Sequence, residues 1–289
     1  MLARPDDPPA ARRRQMYERG ATPVFACRAD PRFGYCLYVP PGFDDDPAGH
    51  ALVVAMHGSG RTMQTYRDRF AAFGRYRRCV ILAPLFPVGP LGDGNAHGFK
   101  LLQEGELRYD RLLLAMVDEA GALLGTRFGR FLLFGYSGGG HFAHRFFYLH
   151  PERLHAVSIG APGAVTLLDD GRDWWVGTRD LQQRFGRAID LDAMRAVRVQ
   201  LVVGAADLET WEIHYPADSV QYMPGINDSG RTRIERLAAL RRSLEGHGIA
   251  CRHDVVPNVA HDGVQVLPQV EDFFEQVLGT LRESAQSPP

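Results

Sequence analysis

The chain has 289 residues, of which 45% are apolar and 23% charged, a balance that is typical of globular proteins and excludes wholesale disorder. Its 33 basic and 34 acidic side chains leave a formal net charge of −1, so the basic surface that nucleic-acid binding needs is not expected. The length is ample for a buried core.

The basic residues and the cysteines indicate the source and the compartment rather than the function. Lys100 is the only lysine, which we attribute to the codon bias of a GC-rich, bacterial genome. Residues 1–20 contain arginines but no apolar run after them, so we expect a loose segment that is neither a signal peptide nor a membrane anchor. A hairpin could bring Cys27 and Cys36 together, but four scattered cysteines without a leader favour free thiols and a cytoplasmic protein.

Short apolar runs alternate with helical patterns along the whole chain. In chain order, the predicted strands are 24–29, 35–39, 51–56, 79–83, 131–135, 156–160, 199–203 and 252–256. The predicted helices are 62–78, 108–124, 141–149, 231–246 and 264–281. This rhythm predicts an α/β fold with a central, mostly parallel sheet flanked by helices. No linker divides the chain, so we expect a single domain over residues 1–289.

The first candidate for chemistry is the segment Gly135-Tyr136-Ser137-Gly138-Gly139, which matches G-x-S-x-G and occurs once. It lies between a predicted strand and a predicted helix. A tight strand-to-helix turn holds a serine in a strained conformation and exposes its hydroxyl at the carboxyl edge of the sheet. The alternative is a glycine-rich turn with an incidental serine. A phosphate-binding loop is disfavoured because the segment has no G-x-x-x-x-G-K-[ST] pattern.

A nucleophilic serine needs a base and an acid that orients the base, and in an α/β sheet both come from loops after later strands. Asp207 and His261 follow the last two predicted strands, and the order Ser, Asp, His is the one expected on this scaffold. Glu209 is an alternative acid. His253 lies within the last strand, where we expect it to pack.

An oxyanion that develops during acyl transfer needs hydrogen-bond donors. The strand Ala51–Met56 runs into His57-Gly58-Ser59-Gly60, a glycine-rich corner with free amides. We expect the donors to be the amides of Ser59 and of Gly138, the residue after the nucleophile. His57 is expected to brace the loop rather than to act as a second base.

These motifs together resemble the α/β-hydrolase superfamily, from about Phe33 to the final helix. The run LYVPPGF followed by LVVAMHGSG is similar to the esterase and polyhydroxyalkanoate-depolymerase-like branch of that superfamily. The resemblance implies a serine hydrolase that acts on carboxylic esters without a cofactor. The chain departs from that branch because we expect no secretory leader and no paired cysteines, which argues against an extracellular polymer as substrate.

Two long segments are expected to shape a substrate pocket. Residues 163–196 are too long for a simple crossover and are interpreted as a lid over the nucleophile. Residues 208–230 follow the acid, and a loop of that length in a compact domain is usually functional. The aromatic residues that we expect to contact an acyl or aryl group are Tyr136, Trp174, Trp175, Trp211 and Tyr215. Ordinary packing is the alternative for each of them.

The hypothesis from sequence is a serine hydrolase with Ser137 as nucleophile, His261 as base and Asp207 as acid, acting on a small-molecule ester. The same triad would also serve a lactone, a thioester, an amide or an acyl transfer. A non-catalytic binding protein on a hydrolase scaffold is the alternative from a different class. No metal is expected because the chain lacks H-E-x-x-H and Cys/His ligand spacing. No other cofactor, nucleic acid or membrane is expected as a partner, and the sequence does not indicate an oligomeric state.

Overall fold

The structure is a computed structural model that describes residue 14 and residues 16–286, with side chains up to residue 284. Most of the predicted loose segment, residues 1–20, therefore lies outside the described residues. The chain divides into two compact units, one ending at Leu132 and the other beginning at Leu133. Within the described part, no helix is both long enough and apolar enough to cross a membrane.

The first unit combines antiparallel and parallel strand pairs. Its strands are β1 (Gly20–Ala21), β2 (Phe25–Ala26), β3 (Gly34–Val39), β4 (Ala51–Met56), β5 (Cys79–Leu85), β6 (Gln103–Glu104) and β7 (Leu107–Arg108), and its α-helices are α1 (Met63–Arg69), α2 (Ala71–Arg77) and α3 (Tyr109–Leu124). Strand β5 pairs antiparallel with β3 and in parallel with β4. Cys27 and Cys36, which a hairpin could have joined, are buried free thiols.

The second unit carries the parallel part of the sheet. Its strands are β8 (Phe131–Tyr136), whose last residues open the unit, β9 (Leu154–Gly160), β10 (Arg198–Gly204) and β11 (Cys251–Val256), and its α-helices are α4 (Gly138–Leu149), α5 (Leu181–Phe185), α6 (Leu191–Arg195), α7 (Arg233–Gly246) and α8 (Leu267–Gln286). Strand β10 pairs in parallel with both β9 and β11. The carboxyl ends of these strands therefore meet at one edge. The predicted α/β fold with a mostly parallel sheet is confirmed.

One predicted helix, 62–78, is interrupted. Helix α1 ends at Arg69 and α2 begins at Ala71, because Phe70 between them has a ψ of −6° rather than the ψ of an α-helix. The break turns Phe70 and Phe73 into the core, where Phe70 is fully buried. Neither proline nor glycine stands at the break, so nothing local in the sequence signals it.

Candidate active site

Ser137 lies in the turn between β8 and α4. Its φ of 56° and ψ of −116° form a combination that residues other than glycine rarely adopt. Its amide donates to the carbonyl of Gly160 at 2.8 Å, which ties the turn to the end of β9. The side chain is half-buried. This is the strained strand-to-helix turn that the G-x-S-x-G motif predicts.

The glycines around Ser137 permit close backbone packing. A Cβ added at Gly135 would collide with the carbonyl of Gly139, and a Cβ added at Gly140 would collide with the end of β9. Helix α4 therefore begins at Gly138 instead of the predicted His141. Tertiary packing outweighs the poor helix propensity of glycine in this first turn.

Asp207 and His261 are in direct contact. Nδ1 of His261 donates to Oδ2 of Asp207 at 2.6 Å, and the donor is the imidazole because an ionised carboxylate can only accept. Nε2 of the neutral ring is then left to accept a proton. The ring of His261 also packs against Tyr136, with 5.1 Å between the ring centroids. The histidine therefore lies beside the residue that precedes Ser137.

Main-chain contacts join the loops that carry the acid and the base. The amides of Ala205 and Ala206 each donate, at 2.8 Å, to carbonyls of the segment that leads from β11 to His261. A Cβ at Gly204 would collide with two carbonyls just before His261. Only glycine fits at that position, and the close approach sets the spacing between Asp207 and His261.

Asp207 has a second charged partner, which sequence reasoning did not select. Nη1 of Arg233 donates to Oδ1 of Asp207 at 3.1 Å, and Nη2 of Arg233 donates to Glu212 at 2.6 Å. Asp207 is fully buried and the Arg233 side chain is 2% exposed, so the ion pair compensates for the burial of both charges. Arg233 is the first residue of α7, where anions rather than cations are favoured, and that anomaly is the signal that could have identified it.

The alternative acid and the alternative base have other contacts. The side chain of Glu209 is exposed, and its main-chain carbonyl accepts from Arg233 at 3.5 Å. His253 lies within β11, with its Nδ1 3.5 Å from Arg241. Burial, together with the charge of Arg241, lowers the pKa of His253. The structure thus brings His261, and not His253, to Asp207.

The predicted HGSG corner follows β4 in the first unit. Nδ1 of His57 donates to the carbonyl of Gly58 at 2.8 Å, and its Nε2 accepts from the amide of Phe86 at 3.0 Å. Burial lowers the pKa of His57 to about 4, so the ring is a neutral brace, in agreement with the expectation from sequence. Ser59 is exposed, and its carbonyl accepts from Arg61 at 2.6 Å.

Gly138 offers a main-chain donor next to Ser137. It is the first residue of α4, and the first amides of a helix have no acceptor within that helix. The helix dipole also favours negative charge at this end. The amide of Ser59, which belongs to the first unit, stays a prediction as the second donor.

Solved structures of several hydrolases share this fold. Poly(aspartic acid) hydrolase-1 from Sphingomonas sp. KT-1 is 18% identical, with a TM-score of 0.70 and coverage of 88% of this chain and 98% of that chain. A poly(3-hydroxybutyrate) depolymerase from Bordetella parapertussis is 21% identical, with a TM-score of 0.64 and coverage of 84% and 83%. The chain has the α/β-hydrolase fold. No family profile and no curated protein matches the sequence.

In this α/β-hydrolase fold, residues 163–196 form an insertion that follows β9. The aromatic side chains of the insertion are buried or half-buried. Trp174 is 1% exposed, and its ring packs edge-on against Phe185 at 4.9 Å. Trp175 is half-buried, in a small apolar cluster that also includes Tyr215. Whether this insertion covers Ser137 as a lid stays a prediction.

Two histidines of α4 hold the start of that insertion. Nε2 of His141 accepts from the amide of Ala164 at 2.9 Å, and Nε2 of His144 accepts from the amide of Thr166 at 3.1 Å. Burial, reinforced by the neighbouring Arg145, lowers the pKa of His144 well below 6.5, so its ring is a neutral acceptor. Among the described residues, no group of three or more potential ligands is arranged to hold a metal ion.

The α/β-hydrolase fold carries a second long loop after Asp207, residues 208–230, with large apolar side chains on its surface. Trp211 is 73% and Val220 98% exposed. The end of the loop is held by Arg236 of α7, which donates to the carbonyl of Gly230 at 2.9 Å and to the carbonyl of Gly163. The five aromatic residues predicted to contact substrate therefore have different surroundings: Tyr136 and Trp174 are buried, Trp175 and Tyr215 are half-buried, and Trp211 is exposed.

Proposed function

We propose that this protein is a serine hydrolase that cleaves a carboxylic ester with a small or medium acyl or aryl group. The observation that carries the proposal is the 2.6 Å contact between His261 and Asp207, beside the strained turn at Ser137. A base that is held by a buried acid, next to a serine at the carboxyl edge of the sheet, is the arrangement that activates a hydroxyl for acyl transfer.

In the proposed mechanism, Oγ of Ser137 attacks the ester carbonyl while Nε2 of His261 takes the hydroxyl proton. Asp207 stabilises the imidazolium that forms, and the amides of Gly138 and Ser59 receive the oxyanion. Each such donor typically contributes about 3 kcal/mol to transition-state stabilisation. The imidazolium then returns its proton to the leaving alcohol, and water, activated by the same base, releases the acyl group from the acyl-enzyme.

The choice of an ester bond is supported by the kinds of proteins that share the fold. One is an S-formylglutathione hydrolase from Agrobacterium tumefaciens, with a TM-score of 0.54 at 18% identity, and another is a ferulic acid esterase, with a TM-score of 0.58 at 14% identity. A lactone, a thioester, an amide or an acyl transfer would use the same residues. A binding protein without activity is disfavoured because nucleophile, base and acid are all present.

The test is labelling with a fluorophosphonate probe together with turnover of a panel of aryl, alkyl and lactone esters. We expect Ser137→Ala to abolish labelling and to reduce turnover by at least three orders of magnitude. Ser284→Ala, an exposed serine on α8, is the matched control and should behave as wild type. His261→Ala should lose turnover while the fold is retained. Labelling that survives Ser137→Ala, or inactivity of His253→Ala instead of His261→Ala, would contradict the proposal.

A further inference from the structure

The contacts of Asp207 extend beyond His261 to a buried arginine and to a second acid. We propose that Arg233 is a positioning residue that orients the carboxylate of Asp207 toward His261, and that Glu212 offsets part of the charge of Arg233. The inference rests on the proposed function. Under that function, Arg233 and Glu212 act together with Ser137, His261 and Asp207 to determine how readily His261 takes the proton of Ser137.

The two contacts of Asp207 use different oxygens. His261 donates to Oδ2 at 2.6 Å, whereas Arg233 donates to Oδ1 at 3.1 Å. A carboxylate that is held at both oxygens cannot rotate about its Cβ–Cγ bond without losing one contact. Because Asp207 is fully buried, Oδ1 lies away from bulk solvent and depends on Arg233 as its hydrogen-bond partner. The arginine therefore fixes the plane in which Asp207 faces the imidazole.

The position of Arg233 is difficult to explain by packing alone. A cation in the first turn of a helix is disfavoured by the helix dipole. Its Nε is buried and has no hydrogen-bond partner among the described residues, which costs further free energy. A capping box between Thr232 and Glu235 nevertheless fixes this turn, so the guanidinium is held in place. The contacts with Asp207 and Glu212 are what compensate for these costs.

The charges around the pair have opposing effects on His261. The cation of Arg233 attracts the carboxylate of Asp207 and repels the positive charge that the imidazole gains with the proton of Ser137. Glu212, 2.6 Å from Nη2 of Arg233, weakens that repulsion, although its side chain is 45% exposed and its effect is screened. Other titratable or charged groups lie near the pair. Tyr136 packs its ring on His261, Asp262 follows His261, and the carbonyl of Glu209 accepts from Arg233. Tyr215 interacts electrostatically with Arg233, and Arg236 lies one turn further along α7.

The test is the pH dependence of fluorophosphonate labelling of Ser137, because labelling requires neutral His261. For Arg233→Gln we expect the acidic midpoint of the labelling rate to move up by about one pH unit, with a maximal rate lower by on the order of tenfold. For Glu212→Gln we expect the midpoint to move down, by about 0.3 unit because of solvent screening. Arg233→Lys should retain the wild-type midpoint and lose part of the maximal rate, because it keeps the charge but not the planar fork.

Asp218→Asn is the matched control for the charge of the loop. Asp218 is exposed on the same loop as Glu212 and has no ion pair among the described residues. The acidic midpoint of labelling in Asp218→Asn should therefore equal that of wild type. Midpoints that stay fixed in both Arg233→Gln and Glu212→Gln, or that move in the same direction, would overturn the inference. A lowered melting temperature with an unchanged midpoint would show that Arg233 is only structural.

The result remains decisive if Arg233→Gln does not fold. Glu212 is half-exposed, so Glu212→Gln is expected to fold, and an unchanged midpoint in that variant alone would overturn the inference. Labelling that persists in Ser137→Ala would instead refute the proposed function. The two failures are therefore distinguishable within one set of measurements.

Discussion

Residues 163–196 and residues 208–230 follow the carboxyl ends of neighbouring strands, yet their tryptophans Trp174 and Trp211 differ completely in burial. The first segment buries Trp174 against Phe185, whereas the second exposes Trp211. Both segments look alike in the sequence, since each is long and contains three residues that are Phe, Trp or Tyr. The comparison teaches that aromatic content in a loop identifies neither a binding surface nor a core until burial is known.

The supports of the two segments differ as well. The insertion at 163–196 packs Trp174 against Phe185 and is anchored to α4 by His141 and His144, and its Trp175 shares a small apolar cluster with Tyr215 of the loop. The loop at 208–230 takes its support from α7, through Arg233 near its start and Arg236 at its end. We therefore expect changes in the first segment to affect stability, and changes at the exposed surface of the second to affect substrate binding.

The largest expected effect is on the stability of the first segment. Trp174→Ala should lower the free energy of unfolding by about 3 to 5 kcal/mol, because it leaves a cavity beside Phe185. Trp211→Ala should change it by less than about 0.5 kcal/mol, since that side chain is exposed. Urea unfolding of both variants measures the difference. Equal losses of unfolding free energy in the two variants would contradict the prediction that Trp174 stabilises the fold more than Trp211 does.

A second effect is the dependence of stability on pH. The folded pKa of His144 lies below that of the unfolded chain, so between the two values the unfolded chain binds more protons. Stability should therefore be fully present above about pH 6.5 and decline as the pH falls, by at most about 1.4 kcal/mol per unit for this one group. In His144→Gln, which keeps an acceptor for Thr166 but does not titrate, the slope should be shallower.

The control for that experiment lies in the second segment. His214 is exposed on the loop 208–230, so His214→Gln should retain the wild-type slope. Unfolding free energies measured at several values of pH between 4 and 7 are sufficient. A slope that is unchanged in His144→Gln, or shallower in His214→Gln, contradicts the prediction.

A smaller effect is expected on substrate binding. Trp211→Ala should raise KM for an aryl ester about five- to tenfold, which corresponds to the loss of about 1 kcal/mol of binding, with kcat within twofold. KM for a short alkyl ester should change less, because the indole offers an aromatic face. Steady-state kinetics with the two esters provides the measurement, and Trp211→Phe serves as the conservative variant. An unchanged KM for both esters would place Trp211 outside the pocket.

The smallest effect is on susceptibility to protease. Of the two segments, chymotrypsin should first cut residues 208–230, after Trp211 or Tyr222, because both side chains are accessible. Cleavage after Trp174 or Phe185 requires the core of the first segment to open. Mass spectrometry of the earliest fragments identifies the site. Early cuts after Trp174 or Phe185 would show that residues 163–196 open more readily than residues 208–230, which would contradict the prediction.

Continuous apolar runs and fixed motifs were sufficient to predict much of the fold and part of the site. The predicted strand 51–56 coincides with β4, since six consecutive apolar residues followed by a glycine-rich corner leave little choice of register. Asp207 and His261 were predicted as partners from their place after two strands, and they are in contact.

The rest depends on tertiary contacts that no local pattern encodes. The break at Phe70 and the early start of α4 at Gly138 both contradict local propensity, because packing outweighs it there. Trp174 is buried and Trp211 is exposed because of the tertiary surroundings of each side chain, which the local sequence does not indicate. Arg233 stands among many arginines in the sequence, and apart from its place in the first turn of α7 only its contact with Asp207 distinguishes it.

The close fit of Gly204 against the loop before His261 also bears on how the protein is made. The proposed acid and base follow two adjacent strands, β10 and β11, whereas the proposed nucleophile follows β8 and precedes His261 by more than a hundred residues. During synthesis, the turn that carries Ser137 leaves the ribosome before the strand that leads to His261. Under the proposed function, the nascent polypeptide therefore holds an unactivated serine until the segment that carries His261 has been made.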